Sequence, residues 1–164
     1  MKATRTDPRK SKPRSATKPK AAAELRLSRQ RKPPAMSADD WQRALRRQFG
    51  REQRFALQNL GDPKQAPVFS EFRVGNADTG GHYSVAIRGT APGDNLCTCL
   101  DFATNDLGTC KHIEFTLAKL FARRGGKVAL ARGFAPPYSE IYLHHAGQRT
   151  VRFRPGTELS LIHI

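Results

Sequence analysis

The chain has 164 residues, with 29 Lys and Arg against 14 Asp and Glu, a formal net charge of +15 and a mean hydropathy of −0.61. That length fits one domain plus a tail, and the lack of any apolar run of about eighteen residues excludes a membrane-spanning helix. Three cysteines, an odd number with no signal-peptide-like opening, exclude a secreted disulfide framework, and free thiols with a basic pI fit a reducing, cytoplasmic setting.

Charge is uneven along the chain. Residues 1–36 hold twelve Lys and Arg against Asp7 and Glu24, whereas residues 37–164 hold seventeen against twelve. From Lys2 to Lys20 the chain mixes Lys, Arg, Pro, Ser and Thr without apolar periodicity. Such a segment cannot bury enough surface to offset its ordering entropy, so residues 1–36 are expected to be a disordered basic tail. An arm of this kind attracts polyanions, most commonly nucleic acid. Lys10, Lys12, Arg14, Lys18, Lys20, Arg29, Arg31 and Lys32 are its candidate phosphate contacts. A solvated linker that only aids solubility is the alternative.

The patterned part spans 37–157. Ser37-Ala38-Asp39-Asp40 reads as a helix cap with acids in the first turn. Trp41, Ala44, Leu45 and Phe49 follow at helical spacing, while Arg43, Arg46, Arg47 and Arg51 line the other side. That basic face is either solvated or in contact with phosphate. Gly50 is a candidate break, with Phe55, Leu57 and Leu60 continuing the apolar character until Gly61-Asp62-Pro63 stops it.

Strands come next. Pro67 to Val74 places Val68, Phe72 and Val74 on one face, Asn76 to Gly81 is rich in turn formers, and His82 to Gly89 alternates around Tyr83, Val85 and Ile87. The pair predicts an antiparallel hairpin. Ala91-Pro92-Gly93-Asp94 then turns the chain into a strand carrying Cys97 and Cys99. Ile113, Leu117, Leu120 and Phe121 form an amphipathic helical stripe, with Thr109 as its cap and Gly125-Gly126 ending it. A second hairpin joins Ser139–Leu143 to Thr150–Phe153 around His144-His145-Ala146-Gly147. His82, His144 and His145 have no cysteine or carboxylate set beside them and read as surface histidines rather than further ligands. Residues 158–164 stand apart. Ser160 to Ile164 reads either as an edge strand or as a scar of a truncated reading frame.

The chemistry concentrates in Cys97, Cys99, Cys110 and His112, spaced C-x-C-x10-C-x-H. All three cysteines fall in one window that closes on a histidine. Three thiolates and an imidazole make a complete tetrahedral set for one Zn2+ of structural type; buried thiols with an incidental histidine are the competing reading. No C-x-x-C is present to form a redox pair, and a nucleophilic cysteine would not need two more thiols beside it. His112-Ile113-Glu114 is H-x-E, but the zinc deaminase signature puts its cysteines after that triplet, and here they all precede it. On an extended strand residues i and i+2 face one side, so Cys97 and Cys99 can meet one ion. Cys110 and His112 would sit in the first helical turn, where backbone N–H groups and Lys111 ease the −1 formal charge of three thiolates on Zn2+.

The ligand spacing resembles the SWIM-type zinc finger, a small β-β-α unit, over about residues 90–121. Leu100-Asp101-Phe102 after the C-x-C, and Gly108-Thr109-Cys110-Lys111-His112 ahead of an apolar helix, carry the resemblance further. It implies that the four ligands correspond one for one to Cys97, Cys99, Cys110 and His112. The stretch from Phe49 to Pro155 is also similar to the N-terminal regions of large bacterial Swi/Snf-like helicases, which implies a fragment of a helicase-like protein. No G-x-x-x-x-G-K-[ST] loop is readable, so ATP hydrolysis is not expected of this chain. The overall expectation is an α+β zinc-binding module that engages DNA or a protein partner, with no small-molecule substrate. A small zinc enzyme is the other class, disfavoured because four protein ligands leave no open position on the metal.

Overall fold

The computed structural model describes residues 26–158. The expectations for Lys10, Lys12, Arg14, Lys18 and Lys20, and for Ser160 to Ile164, lie outside that range. Among the described residues the chain runs α1 (Ala38–Glu52), β1 (Phe55–Asn59), β2 (Glu71–Asn76), β3 (His82–Ala86), β4 (Leu96–Cys97), α2 (Leu100–Thr104), α3 (Lys111–Ala122), α4 (Gly126–Arg132), β5 (Glu140–Ala146) and β6 (Gln148–Arg154). The class is mixed α+β. β1 to β4 form an antiparallel sheet in sequential order, and β5 and β6 form a separate ribbon. None of the helices is long and apolar enough to cross a membrane.

Ser37 caps α1 as its sequence implies: its Oγ accepts from the Asp40 N–H at 3.0 Å. Gly50, however, does not break the helix. It is buried within α1, where its missing side chain lets the α3 backbone approach. The apolar run after it is not helical either. Phe55, Leu57 and Asn59 alternate with exposed Ala56 and Gln58 and pair with β2, so the period of two overrides the helical reading.

The first hairpin forms as expected in kind, with shifted ends. β2 begins at Glu71 rather than near Pro67, and Val68 is buried ahead of the strand. Phe72 and Val74 of β2 and Val85 of β3 point into the core, with Ile87 just beyond. The Asn76–Gly81 turn closes on itself: the Asn76 N–H reaches the Gly81 carbonyl and the Gly80 N–H returns to Asn76, both at 2.8 Å. β3 stops at Ala86 because Asn95 captures the backbone of Arg88 and Gly89. Its Oδ1 accepts from the Arg88 N–H at 2.8 Å and the Gly89 N–H at 3.1 Å, and its Nδ2 donates to the Gly89 carbonyl at 3.1 Å.

α3 lies across the sheet and buries Ile113, Phe115, Thr116, Leu117 and Leu120, so the predicted stripe is the core face, while Phe121 is left at its exposed edge. The helix cap differs from the reading of Thr109. Cys110 occupies that position, and the Thr109 hydroxyl donates instead to Glu114 Oε1 at 2.9 Å. α2 and α4 are additions that the sequence pattern did not announce. Both are short, and α4 follows the Gly125-Gly126 turn expected to end the helical region.

Two further expectations are corrected by packing. The segment Arg26–Met36 lies along α1 rather than belonging wholly to a disordered tail. The Leu27 N–H donates to Gln48 Oε1 at 2.8 Å, the Trp41 indole donates to the Ser28 carbonyl at 3.1 Å, and Arg26 and Arg29 both pair with Glu52. His144 and His145 are not turn residues on the surface. They belong to β5 and are buried, while Gly147 alone makes the turn. His82, by contrast, is exposed as read.

Candidate metal centre

The four candidate ligands converge where the sheet meets the helices. Cys97 ends β4. Thr98 locks that segment onto β3, its N–H reaching the Ser84 carbonyl and its hydroxyl accepting from the Ser84 N–H, both at 3.0 Å. Exposed Thr98 between buried Cys97 and Cys99 preserves the alternation that turns both thiols inward. Cys99 also caps α2, its sulfur accepting from the Phe102 N–H at 3.4 Å. Cys110 opens α3, and His112 sits in its first turn.

The ligand atoms of these four residues all lie within 4.8 Å of one another, and every one of the four residues is buried. His112 Nδ1 is 3.8 Å from Cys97 Sγ and 4.0 Å from Cys110 Sγ. Bond lengths of about 2.3 Å to sulfur and 2.0–2.1 Å to nitrogen put tetrahedral S···N edges at roughly 3.6 Å, a few tenths of an ångström shorter. The site therefore presents three sulfurs and one nitrogen placed to hold a single metal ion. Nδ1 is the nitrogen turned to the thiols, and Nε2 is buried without a hydrogen-bond partner.

The electrostatics also call for a cation. Cys110 and Cys97, and more weakly His112 and the Phe102 N–H, hydrogen-bond to the Cys99 sulfur and hold its thiol far below the ordinary range. Contact with Cys97 and Cys99, then burial, holds the Cys110 thiol far above it. Cys97 is drawn down by Cys110 but raised by Cys99 and by burial, and ends at about 12. Ionising one of these buried, touching thiols disfavours ionising the next. Three thiolates need a positive charge among them.

The surroundings fix the imidazole. Tyr83 stacks on His112 with ring centroids 4.2 Å apart, and Phe55 meets it edge-on at 5.1 Å. Lys111, expected to ease the site's charge, extends over Phe55 at 5.8 Å. Between the ligand pairs, Asn105 shapes the link. Its Nδ2 donates to the Asp101 and Thr109 carbonyls, and its Oδ1 accepts from the Leu107 N–H at 2.8 Å. Gly108, at φ +71°, then lets the link close on the preceding turn, the Gly93 N–H donating to its carbonyl at 2.9 Å.

Half of the basic face of α1, Arg43 and Arg46, is part-buried against this region, while Arg47 and Arg51 stay exposed as a solvated face would. Arg46 makes a two-pronged pair with Asp101 at 2.5 and 3.1 Å, Arg47 pairs with Glu114 at 3.1 Å, and Arg43 donates to the Leu107 carbonyl at 3.1 Å. Of the basic candidates in the tail, Arg29 is likewise engaged by Glu52 and lies over Phe49, and Lys32 donates to the Pro33 and Met36 carbonyls. Arg31 is exposed.

The supporting residues were only partly readable. Tyr83 was readable as inward-facing from its strand alternation. Phe55 was lost to the helical reading, and Asp101 and Asn105 carried no signal until α2 placed them. Compared with protein-family models, curated proteins and solved structures, the chain has no match.

Proposed function

We propose that this chain is a zinc-stabilised binding module of SWIM type, in which Cys97, Cys99, Cys110 and His112 hold one structural Zn2+, and that the module engages DNA. The observation that carries the reading is the closed, buried Cys3His group at the junction of β4, α2 and α3. Borderline-soft Zn2+ suits three thiolates and an imidazole, and four side-chain ligands fill its tetrahedral shell. The metal then acts as a cross-link between elements too short to hold one another. The two-residue β4 and the five-residue α2 are tied by it to α3. The role is non-catalytic, and a place beside a nucleic-acid motor rests on the sequence resemblance of residues 49–155 alone.

The basic arm supports DNA as the partner. Phosphate contacts release condensed counterions, so log K falls with log salt by about 0.9 for each phosphate neutralised. Anisotropy titrations of a fluorescent DNA duplex at several salt concentrations test this. The full chain is compared with a full chain whose eight Lys and Arg before residue 26 are Gln. A shallower slope for the neutralised arm supports the reading. No binding by the unaltered chain at low salt contradicts it.

A second reading, a protein partner without DNA contact, is favoured by one surface. Ile141, Leu143, Val151 and Phe153 are paired across the β5–β6 ribbon, and all four are exposed.

A further inference from the structure

We infer that the folded core carries its own phosphate-binding surface at the α3–α4 junction, built from Lys119, Arg123, Arg124 and Lys127 and separate from the N-terminal arm. The inference rests on the DNA reading above and locates a second contact for it.

From Phe115 to Ser139 the chain holds five cations, these four and Arg132, and no Asp or Glu. All five are exposed. Many other arginines are paired with an acid: Arg26 and Arg29 with Glu52, Arg43 with Asp39 and Asp40, Arg46 with Asp101, Arg47 with Glu114, Arg54 with Asp78, Arg149 with Asp106 and Arg154 with Glu140. None of the five forms an ion pair with a described residue. Lys119 lies over the Phe115 ring at 5.5 Å, and Arg123 donates to the Pro67 carbonyl at 3.4 Å, contacts that orient the side chains without cancelling their charge.

The backbone beneath them is fixed. Gly125 takes φ +76°, and Gly126 is buried so close to the Leu120 carbonyl that an added Cβ would clash with it. The Gly126 N–H donates to the Arg123 carbonyl at 3.0 Å. Cations on such a turn lose little backbone entropy when they bind. Lys119 and Arg123 are one helical turn apart, about 6 Å along the axis. That is close to the rise over two phosphates of one DNA strand, about 3.4 Å each. A membrane surface fits less well. An interfacial helix needs a broad apolar face, and here Leu117, Leu120 and Leu130 are spent in the core, leaving Phe121 and Val128 as the exposed large apolar residues of α3 and α4.

The test uses the full chain, the chain with its eight arm cations changed to Gln, and both again with Lys119→Gln, Arg123→Gln, Arg124→Gln and Lys127→Gln combined. The probe is a mixed-sequence DNA duplex titrated across about 50–200 mM salt. Unchanged thermal melts, and a variant with each Lys and Arg of the patch exchanged for the other, separate lost charge from lost folding. The arm-neutralised chain is expected to retain a salt-dependent affinity. The four patch changes should lower the slope by about 2–4, and the exchanged variant should keep it. If the unaltered chain binds and neutralising the arm alone abolishes binding, the patch is overturned while the DNA reading stands. If the unaltered chain does not bind the duplex, both fall. Patch-dependent binding to phosphatidylserine vesicles but not to the duplex would also overturn the inference.

Discussion

Gly50 of α1 sits directly on the backbone of Lys111, the residue between two candidate ligands, Cys110 and His112. A Cβ at position 50 would lie 2.9 Å from the Lys111 carbonyl oxygen and 3.0 Å from the Phe115 nitrogen. Helix propensity alone favours Ala over Gly by about 0.8–1 kcal/mol. Overpacking against an immobile backbone costs about 1–3 kcal/mol, and here both neighbours are main chain. Gly50→Ala is therefore expected to lower stability by about 1–2 kcal/mol on balance, read from the midpoint of chemical denaturation. A stabilised variant would mean that α1 and α3 separate more easily than the packing implies.

The boundary of the folded unit is a second point of test. Deleting residues 1–25 should leave the thermal midpoint unchanged within about a degree. Deleting residues 1–36 removes the Glu52 ion pairs and the hydrogen bonds to Gln48 and from Trp41. Surface pairs contribute up to about 1 kcal/mol and hydrogen bonds about 1 kcal/mol each, so the midpoint should fall by several degrees. Equal midpoints for the two truncations would show that Arg26–Met36 does not stabilise the core.

The β5–β6 ribbon is attached to the Cys3His region through its two histidines. His144 lies against Gly93, where an added Cβ would come within 2.5 Å of Nε2, and Gly93 is at φ +89°. His145 stacks on Phe102 at 5.0 Å. The Gly147 N–H reaches Asp106, and Arg149 donates to the Ala103 carbonyl, both at 2.7 Å. Gly93→Ala meets both backbone strain and a clash, and should detach the ribbon. Faster amide hydrogen exchange over 140–154 with slow exchange kept in β2 and β3 is the expected pattern. Unchanged exchange over 140–154 would show that the contact does not hold the ribbon.

That attachment should also depend on pH. Burial first, then Arg149 and His144, lower the His145 pKa, with Asp106 pulling the other way. A histidine whose pKa is lower folded than unfolded favours the neutral form in the native state. Its contribution is complete above the unfolded value of about 6.5 and is lost as pH falls through the folded one. The midpoint of the native protein should therefore fall faster below about pH 6.5 than that of a His145→Gln variant. Parallel curves would show that His145 does not carry the effect.

The Cys3His cluster was legible because its signal is local: a spacing of two on either side of the link, with a helical stripe behind. The first hairpin was legible for the same reason, since alternation at Tyr83, Val85 and Ile87 needs no partner to be seen. Other features depended on long-range contacts. Gly50 reads as a helix breaker until Lys111 and Phe115 arrive beside it. Phe55 and Leu57 fit either period over so short a run, and β2 decides between them. Arg46 and Arg47 resemble a solvated face because their partners, Asp101 and Glu114, lie 55 and 67 residues away. His144 and His145 gave no cue to burial, because the surface that covers them is made by Gly93 and Phe102.

The central claim is tested most directly by metal content. Protein purified without chelator is analysed for zinc, alongside Cys99→Ser and Cys110→Ser variants. About one zinc per chain is expected in the unaltered protein, with loss from both variants. Chelation should release the metal and unfold the β4–α2–α3 region, since binding at structural zinc sites, about 10–16 kcal/mol in apparent terms, is coupled to folding. Well under one metal per chain, with a melting profile indifferent to chelator, would contradict the account and leave the four residues as buried thiols beside an incidental histidine.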